Sequence, residues 1–550
     1  MSSNVVLIGL DGATFDVIKP LCSKGRLPNL ARLIREGTSG DLRSTIPPVT
    51  APAFSSLLTG CNPGQHGVFD FYGRKSGSYN PEPQNGASIK AETLPAIFGR
   101  QGRTTGTVNV PMTYPPRPLN GYTVTGMMTP PGAAYTYPPD LQTTLDESGY
   151  RIELDTWYRR GHEEKTLNQI LALLRTQVAA VVRLMKERPS DLFAVVFRAT
   201  DLAQHYFWRF GDPGHPGYTQ EDDDKYGDFI AQAYEACDDA IGQVVHAAGE
   251  DATVLVVSDH GFGRETKMVH LSNWLHREGY LLFNDDLLGR AKKLTFDLGF
   301  TADNVMNTLG RFGLEKLFTR VSRETKSKVF TKFFLSYADI DWSRTKAYAR
   351  GQIGQIFINI KGREPRGIVE PGDDYIAVRS DIIEHLRELT DPETGDRIVD
   401  RVYVREEIFK GTFADQAPDI FIEWKDMEYW AFDFLAGGRK IVAPNLLTRS
   451  GGHRMNGILV VHGPEIAAGK EIVGAQILDV APTALHVAGL PVPEVMDGTV
   501  LQSVFAEGSE SAERPVAYES AELTQTDESP GYSSEEEAKV KERLNQLGYL

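Results

Sequence analysis

The first half of the chain alternates short apolar runs with amphipathic segments. Three runs, Val5–Leu10, Leu192–Phe197 and Thr253–Val257, are apolar at nearly every position, a pattern typical of strands that are buried on both faces. Between them, apolar residues recur at helical spacing and predict helices at Pro28–Glu36, 167–185 and 229–245. Buried strands separated by helices predict an α/β fold that is doubly wound around a mostly parallel central sheet.

Beyond residue 262 the pattern changes. Residues 285–340 carry a helical pattern of mixed charge, and the stretch after them mixes strand-like and helical runs, at 355–360, 382–389 and 419–424. The α/β alternation resumes only after residue 450, with a strand at 457–461 and a helix at 477–488. The interruption predicts a large insertion that covers the α/β unit as a cap.

These changes of pattern divide the chain into three parts. The predicted core comprises residues 1–261 and 451–506, and residues 262–450 form the inserted cap. Residues 507–550 form an acidic tail, rich in Glu, Ser and Thr, that we expect to be loosely held up to a short C-terminal amphipathic helix.

Composition and charge limit the classes of function. The 550 residues are 41% hydrophobic and 24% charged, which is typical of a globular protein, and the net charge of −16 argues against broad binding to nucleic acid or an acidic membrane surface. Three cysteines form neither a metal-binding pair nor a disulfide framework, and the N-terminal apolar run is too short for a signal peptide. We therefore expect a cytoplasmic protein with no membrane or nucleic-acid partner, and the oligomeric state stays open.

Acidic and imidazole side chains follow the three predicted buried strands where they end, and one more imidazole precedes the last predicted strand. They are Asp11, Asp201, His205, Asp259, His260 and His453. In open α/β sheets ligands bind at the carboxyl ends of the strands, so we expect these side chains to converge there. Asp and neutral imidazole are ligands for Zn²⁺ and related cations. A single Asp after a strand is usually a turn or capping residue, but the repeated placement favours a metal site.

Thr50 lies in a segment for which two roles are open. Pro52 predicts the first turn of a helix that runs to about Leu58, which places Thr50 at or near the N-cap. Its hydroxyl could simply cap that helix. The partial positive charge of a helix N-terminus also favours phosphate and would stabilise a threonine alkoxide. From chemistry alone, the capping role is favoured.

The order of these residues resembles the metal-site pattern of the alkaline phosphatase superfamily. The matching positions are Asp11, Thr50, Asp201, His205, Asp259, His260 and His453. The resemblance is closest to type I phosphodiesterases and nucleotide pyrophosphatases, in which the nucleophile begins a T-x-P segment that is followed by TG and P-x-x-H-G, here at 50–52, 59–60 and 63–67. The wider chain also resembles a group of predicted phosphohydrolases or phosphomutases. The implied fold is an alkaline phosphatase-like doubly wound sandwich whose cap determines specificity.

The resemblance implies a site for two divalent metal ions. One ion is expected to be held by Asp201, His205 and His453. The other is expected to be held by Asp11, Asp259, His260 and the oxygen of Thr50. Two divalent cations against three carboxylates and one alkoxide leave the site near neutral, so an anionic phosphate is not repelled by the acidic chain. Zn²⁺ is the expected metal, and Mn²⁺ or Fe²⁺ would suit the same ligands.

The implied reaction is hydrolysis of a phosphate ester in a small phosphorylated substrate, with a diester slightly favoured over a monoester. Thr50 is implied to attack phosphorus as the catalytic nucleophile and to form a covalent phospho-threonine. A phosphomutase or phosphotransferase is an alternative, because a large cap can exclude water. A catalytically silent binding protein is a further alternative, which the retention of all seven metal-site positions argues against.

Three positions are candidates for substrate binding. Nucleotide pyrophosphatases carry an asparagine shortly after the H-G pair, where this sequence has Asp70, so we expect the phosphate to be held differently. Asn109 could face the site from a strand end, with a turn-capping role as the alternative. Arg454 could steady a phosphate, with a surface salt bridge as the alternative. Phe54 stands where sulfatases carry an arginine, which argues against a sulfatase.

Overall fold

The computed structural model describes residues 4–75, 77–154, 158–301, 304, 334–433, 435, 438–445, 449–520 and 531–546. In chain order the strands are β1 Val5–Leu10, β2 Thr38–Arg43, β3 Tyr72–Arg74, β4 Pro81–Pro83, β5 Thr105–Val110, β6 Gly121–Thr125, β7 Thr136–Tyr137, β8 Leu192–Phe197, β9 Thr253–Val257, β10 Gly261–Arg264, β11 Lys267–His270, β12 Ala347–Arg350, β13 Gln355–Ile358, β14 Val399–Val404, β15 Ile420–Trp424, β16 Tyr429–Phe432, β17 Val442–Pro444, β18 Gly451–Arg454, β19 Asn456–His462, β20 Lys470–Glu471, β21 Ala475–Gln476, β22 Val492–Pro493 and β23 Tyr518–Glu519. The α-helices are α1 Phe15–Ser23, α2 Pro28–Glu36, α3 Thr50–Thr59, α4 Pro63–His66, α5 Leu94–Arg100, α6 Asp140–Glu147, α7 Glu163–Glu187, α8 Ala199–Gly211, α9 Gln220–Tyr226, α10 Phe229–Ala248, α11 Leu271–Arg277, α12 Leu287–Asp297, α13 Asp373–Arg387, α14 Arg405–Ile408, α15 Val480–Val487, α16 Glu510–Glu513 and α17 Ser534–Gln546.

The central sheet has the order β20-β2-β19-β9-β1-β8-β5-β6-β7, with β21 also paired to β2. Strand β1 lies between β8 and β9 and is parallel to both, and β5 extends the parallel part from β8 to β6. Strands β19 and β7 run antiparallel to their neighbours. The central sheet is therefore mostly parallel, as the sequence predicts.

Helices cover both faces of this sheet. Val5 and Leu7 of β1 pack into one hydrophobic cluster with α3, α5 and α15, whereas Val6 and Ile8 pack into another with α2, α7, α8 and α10. Successive side chains of a strand point to opposite faces, so the alternation along β1 shows that each face has its own core. The predicted doubly wound sandwich is confirmed.

The segment predicted to be the cap builds its own hydrophobic cluster. An antiparallel sheet of order β12-β13-β15-β14 packs with α13 around Ile356, Ile382 and Trp424. A second sheet has the order β16-β11-β17. Strand β10 pairs antiparallel with β18, so the chain leaves the α/β unit and returns to it side by side. Within the predicted helical region 285–340, α12 is present, and residues 302–303 and 305–333 lie outside the described residues.

One predicted helix begins in the wrong place. The sequence indicates a helix at 382–389, whereas α13 spans Asp373–Arg387. Its first turn carries Asp373 and Asp374, which resemble a loop in composition but stabilise a helix N-terminus through the helix dipole. The true helix buries a stripe that also includes Tyr375 and Val378.

The described part of the tail packs against the core. Strand β23 pairs with β22, and α17 buries Val540 and Leu544 in the larger core cluster. The hydroxyl of Tyr532 donates a hydrogen bond to the carbonyl oxygen of Met128 at 2.6 Å. The expectation of a loosely held stretch is therefore wrong for residues 507–520 and 531–535, whereas the short helix expected after it is present as α17. Residues 521–530 lie outside the description. Among the described residues, no helix has the length and apolar character needed to cross a membrane.

Candidate metal centre

The register of three parallel strands brings their ends to one edge of the sheet. Gly9 of β1 is paired with Val196 of β8 on one side and with Val257 of β9 on the other. Asp11 follows β1, and its backbone N–H donates to the carbonyl oxygen of Phe197, the last residue of β8. The residues that follow these three strands therefore meet at the carboxyl edge, where the sequence predicts a site.

Two of the predicted pairs reach this edge by different local structures. Asp201 and His205 lie one turn apart in α8, and Asp201 Oδ1 is 3.1 Å from His205 Nε2. Asp259 and His260 lie in a bend after β9, and Asp259 Oδ2 is 3.2 Å from His260 Nε2. Both pairs place a carboxylate oxygen beside an imidazole nitrogen.

The third element is β18, which carries His453 opposite Phe262 of β10. His453 Nε2 lies 3.2 Å from His205 Nε2 and 3.7 Å from Asp201 Oδ1. The His453 ring also stacks on the His260 ring, with 3.5 Å between centroids. Strand β18 thus joins the two pairs into one cluster.

The cluster contains two overlapping groups that could hold a metal ion. Within each group, one ligand atom from every residue lies within 4.8 Å of the others; the groups are Asp201, His260 and His453, and Asp11, Asp259 and His260. The distances given above place His205 beside the first group. All of these side chains are buried.

Each histidine of the cluster has its tautomer set by a carbonyl oxygen. The Nδ1 atoms of His205, His453 and His260 lie 2.9, 2.8 and 3.1 Å from the carbonyl oxygens of Gly451, Pro48 and Gly261. A carbonyl oxygen only accepts, so Nδ1 carries the proton in each ring. In the neutral ring, Nε2 is then a lone pair that faces the carboxylates, as in metal-binding histidines.

Three carboxylate oxygens face these lone pairs. Asp11 Oδ1, Asp201 Oδ1 and Asp259 Oδ2 are buried and have no hydrogen-bond donor among the described residues. Buried carboxylate oxygens are normally paired, because leaving one unpaired costs free energy. Carboxylate and imidazole lone pairs directed at one another repel unless a cation lies between them. The residues present therefore fit divalent metal ions.

Burial favours the uncharged forms of the side chains in the cluster, so it raises the pKa of a carboxyl group and lowers the pKa of an imidazole. Burial, with the neighbouring charge of Asp201, raises the pKa of Asp259 to about 7. Burial, with the charge of Arg449, lowers the pKa of His205 to about 4. Burial and the two neighbouring histidines lower the pKa of His453 as well. The imidazoles are thus neutral at physiological pH, which is the form that binds metal.

Thr50 is the first residue of α3, and the N-cap residue is Val49. The helix-capping role that chemistry alone favours for the Thr50 side chain is therefore wrong. The Thr50 hydroxyl instead lies 3.5 Å from His260 Nε2 and is buried. The structure places the predicted nucleophile beside the predicted metal ligands.

Two arginines and a glutamate of the site have no counterpart in the sequence prediction. Arg198 Nε donates to Asp11 Oδ2 at 3.0 Å, and its Nη1 donates to Glu153 Oε1 at 2.6 Å. Its Nη2 lies 3.5 Å from Asp201 Oδ2, so Arg198 connects the two carboxylates. Arg449 Nη2 lies 3.3 Å from His205 Nε2, and the guanidinium carbon is 4.4 Å from the centre of the Trp430 ring. Arg198 directly follows Phe197 and shares the strand-end placement, which is a signal that could have identified it.

The three predicted substrate contacts lie in different surroundings. Asn109 lies at the carboxyl edge in β5 with φ of 57°, and its Nδ2 donates to the carbonyl oxygen of Val196. Arg454 donates to the carbonyl oxygens of Arg264 and Met427, which belong to the cap side. Asp70 lines a cavity beside the cap. Of the three, Asn109 alone lies in a strand of the central sheet.

Comparison with known proteins gives a consistent picture. Residues 5–433 match the family described as type I phosphodiesterase / nucleotide pyrophosphatase. A comparison with curated proteins gave no match. Among solved structures, phosphonoacetate hydrolase from Sinorhizobium meliloti 1021 in complex with phosphonoformate is similar, with a TM-score of 0.51 and 15% identity over 88% of this chain and 96% of that one.

Human ectonucleotide pyrophosphatase / phosphodiesterase 5 is also similar in structure, with a TM-score of 0.50 and 11% identity over 91% of this chain and 99% of that one. An inactive variant of the murine protein in complex with AMP has a TM-score of 0.51 and 12% identity, over 92% of this chain and 100% of that one. At these identities the likeness shows a shared fold. The chain belongs to the type I phosphodiesterase and nucleotide pyrophosphatase family of the alkaline phosphatase superfamily, a family of phosphoester hydrolases.

Proposed function

We propose that the protein hydrolyses a phosphate ester by attack of Thr50 on phosphorus at a site for two divalent cations, with a diester favoured over a monoester. The observation that carries the proposal is the convergence of the Thr50 hydroxyl, unpaired carboxylate oxygens and imidazole lone pairs at one sheet edge. Membership of a phosphodiesterase family supports the reaction class.

The residues at the sheet edge divide into two ligand sets. Asp201, His205 and His453 would hold one cation. Asp11, Asp259 and His260 would hold the other, with the Thr50 oxygen. When bound, the cations supply the positive charge that lowers the pKa of a nearby hydroxyl and stabilises charge on phosphate oxygens. Carboxylate and imidazole ligands favour Zn²⁺, with Mn²⁺ and Fe²⁺ as alternatives.

The placement of Thr50 suits a nucleophile. Its hydroxyl lies at the N-terminus of α3, where partial positive charge favours an incoming phosphate and an alkoxide. In the proposed reaction a bond forms between the Thr50 oxygen and phosphorus while the bond to the ester oxygen breaks. The ester oxygen leaves as an alcohol with the proton that Thr50 gives up. Water then cleaves the bond between the Thr50 oxygen and phosphorus, which releases a phosphate monoester from a diester substrate, or inorganic phosphate from a monoester, and restores the hydroxyl.

Arg449 is the side chain best placed to add a fixed positive charge for phosphate. It is buried, stacks on Trp430 and reaches the predicted metal ligand His205. A guanidinium held in this way binds oxyanions through several N–H groups. We keep Asn109 as a second candidate, because it lies at the same sheet edge. The guanidinium of Arg454 already donates to main-chain carbonyls, so we do not assign it to phosphate.

The related structures support a small phosphorylated substrate. One is described with phosphonoformate, and another is described with AMP. Both ligands carry a phosphorus oxyanion on a small organic group. A cytoplasmic location stays a prediction, supported by the three free cysteines, Cys22, Cys61 and Cys237.

The proposal is tested by comparing two threonines of the same helix. Thr50 and Thr59 are the first and last residues of α3 and both are buried, but the Thr59 hydroxyl donates to the carbonyl oxygen of Ser55. In Thr50→Ala we expect hydrolysis of a chromogenic diester to fall by at least roughly 10³-fold, because the nucleophile is lost. Thr59→Ala should keep most of the activity.

Metal content per chain and the ratio of diester to monoester hydrolysis complete the experiment. We expect two metal ions per chain in the native protein and in Thr59→Ala. Undiminished turnover in Thr50→Ala would exclude Thr50 as the nucleophile. A protein that binds no metal would contradict the assigned ligands, and faster monoester hydrolysis would contradict the diester preference.

A further inference from the structure

A cavity of about 490 Å³ lies between the β3–β4 hairpin of the core and the loop that joins β12 to β13 in the cap. Its volume is in the range of small-molecule binding sites. Asp70 lies in its wall, and Gln355 Nε2 donates to Asp70 Oδ2 at 2.9 Å across the boundary between the two parts. The cavity is thus formed by core and cap together.

The side chain of Gln352 lies in the wall of this cavity and lacks the hydrogen-bond partners that a ligand could supply. The residue is 5% exposed, and neither Oε1 nor Nε2 of its side chain has a hydrogen-bond partner among the described residues. Buried amides are normally paired at both ends. A group that both accepts and donates would satisfy the two atoms, and a hydroxyl is the smallest group that does so.

The three arginines of the wall are paired with carboxylates, and the remaining cation of the wall, Lys75, is exposed to solvent. Arg350 Nη1 lies 3.6 Å from Asp433 Oδ2, and Arg74 Nη1 lies 2.6 Å from Glu364 Oε1. Arg363 Nε donates to the same glutamate at 2.8 Å. Because these cations have carboxylate partners inside the wall, the cavity does not require a charged ligand.

Four of the rings that line the cavity are packed on other groups; they are Tyr79, Tyr337, Tyr348 and Phe357. Tyr79 stacks on Trp342 with 3.5 Å between ring centres, and its ring also meets the edge of Tyr348 at 5.6 Å. Tyr348 stacks on Phe357 at 5.4 Å. The guanidinium of Arg350 covers Tyr337 at 4.0 Å. Rings that are covered in this way do not form a slot for a planar base.

The cavity lies within reach of the metal centre. Ile353, the residue after Gln352, lines an apolar cleft with Trp430 and His453. On strand β16 the Trp430 ring is 6.2 Å from the His453 ring, and three residues further on Asp433 lines the cavity. Three residues of an extended strand span about 10 Å. The segment from Trp430 to Asp433 therefore connects the surroundings of His453 with the wall of the cavity.

We propose that this cavity binds an uncharged polyhydroxylated group, a sugar ring or a polyol chain, through Gln352 and the other polar groups of its wall. The role of that group rests on the proposed function, because it would be the organic part of the phosphate ester. The cap would then select the substrate by hydroxyl groups instead of by a base or a charge.

The test measures binding of neutral probes that carry no phosphate. A panel of methyl glycosides, glycerol and myo-inositol is titrated into the metal-loaded protein and followed by saturation-transfer NMR and calorimetry. We expect at least one member to bind, and Gln352→Met to weaken that binding at least tenfold by removing both unpaired groups. Gln502→Met, the same change at an exposed position, should leave the affinity unchanged.

Two further readouts separate this inference from the proposed function and from misfolding. Gln352→Met should leave the unfolding temperature unchanged or raised, because it removes unpaired buried polar groups. Binding of a neutral probe by a protein that hydrolyses no phosphate ester would support the cavity and contradict the proposed function. Adenosine is titrated beside the panel as a probe that carries a base. Failure of every panel member to bind, or tighter binding of adenosine than of any panel member, would overturn the cavity assignment.

Discussion

Two sets of buried carboxylates, one in the cap and one at the sheet edge, differ in how their oxygens are paired. In the cap, Asp419 is fully buried, and Arg363 donates to both of its oxygens at 2.8 and 2.6 Å. The hydroxyl of Tyr375 and the backbone N–H of Ile358 also donate hydrogen bonds to Asp419. At the sheet edge, Asp259 is equally buried, yet its Oδ2 faces an imidazole lone pair and has no donor among the described residues.

We interpret this difference as one between a carboxylate with a structural role and a candidate metal ligand. Burial alone does not distinguish them, because both lie away from water. All the hydrogen-bond partners of Asp419 named above belong to the folded chain, so replacing Asp419 should lower the free energy of unfolding. The carboxylates at the sheet edge lack partners until positive charge is added, so replacing one of them should weaken the binding of a cation.

The largest effects are expected when the same substitution is made in both sets. In Asp259→Asn, we expect metal binding to be lost and turnover to fall by roughly three orders of magnitude, because several kcal/mol of charge stabilisation disappear. The metal-free variant should be more stable than the metal-free native protein by about 1 kcal/mol, since a like charge leaves the cluster. The new amide can also donate to His260 Nε2, which lies 3.2 Å from Asp259 Oδ2.

Asp419→Asn should behave in the opposite way. The free energy of unfolding should fall by about 3 kcal/mol, because the bidentate bond to Arg363 is broken inside the fold. The folded fraction should keep its metal ions. Metal analysis and denaturant unfolding, each with and without chelator, measure both variants. If metal-free Asp259→Asn and metal-free Asp419→Asn lost the same free energy of unfolding, the difference in hydrogen bonding between the two carboxylates would have no effect on stability.

A smaller effect on metal binding is expected when Arg198, which hydrogen-bonds to the cluster, is replaced. Arg198 donates to Asp11 Oδ2 and to Glu153, so Arg198→Met should leave the metal ligands present but less well oriented. We expect metal affinity to fall by roughly 10- to 100-fold, as for other residues that hydrogen-bond to metal ligands. Arg363→Met is the matched change in the cap, and it should lower stability without changing metal affinity in the folded protein. Unchanged affinity in Arg198→Met would refute its positioning role.

The convergence of the candidate ligands at one sheet edge could be predicted from the sequence because its geometry is local. Asp11, Asp201 and the pair at 259–260 lie within a few residues of the ends of β1, β8 and β9, and parallel strands bring those ends together. His205 follows Asp201 by one turn of α8. Arg198 has the same placement but is basic, so a search for metal ligands misses it. Glu153 lies far from any predicted strand end and is brought in by tertiary packing, which no short pattern encodes.

The cavity in the cap could not be predicted in the same way. Asp70 and Gln355 are 285 positions apart in sequence, and their hydrogen bond depends on how the cap docks on the core. Gln352 lies in a loop, without a periodic pattern to indicate burial. The start of α13 was missed for a related reason, since its charged first turn resembles a loop in composition. Structural features that depend on contacts between distant segments cannot be predicted from the local pattern and spacing of residues.

Asp70 is intermediate between the two sets of carboxylates, and its replacement is expected to change only the pH dependence of stability. Its oxygens accept hydrogen bonds from Phe71 N–H and Gln355, but burial still raises its pKa from 3.8 to about 7. The folded protein therefore holds a proton that the unfolded chain releases above about pH 4, so the stabilising contribution of this proton is complete below pH 4 and is lost as the pH rises through 7. Relative to the native protein, Asp70→Asn should gain about 1 to 3 kcal/mol of unfolding free energy between about pH 4 and pH 8. Asp191, whose partial burial is outweighed by hydrogen bonds from Thr104 that lower its pKa, is the control, and Asp191→Asn should change stability by a constant amount above about pH 5. A flat difference for Asp70→Asn in urea unfolding across this range would place Asp70 with Asp419, as a carboxylate whose partners are complete.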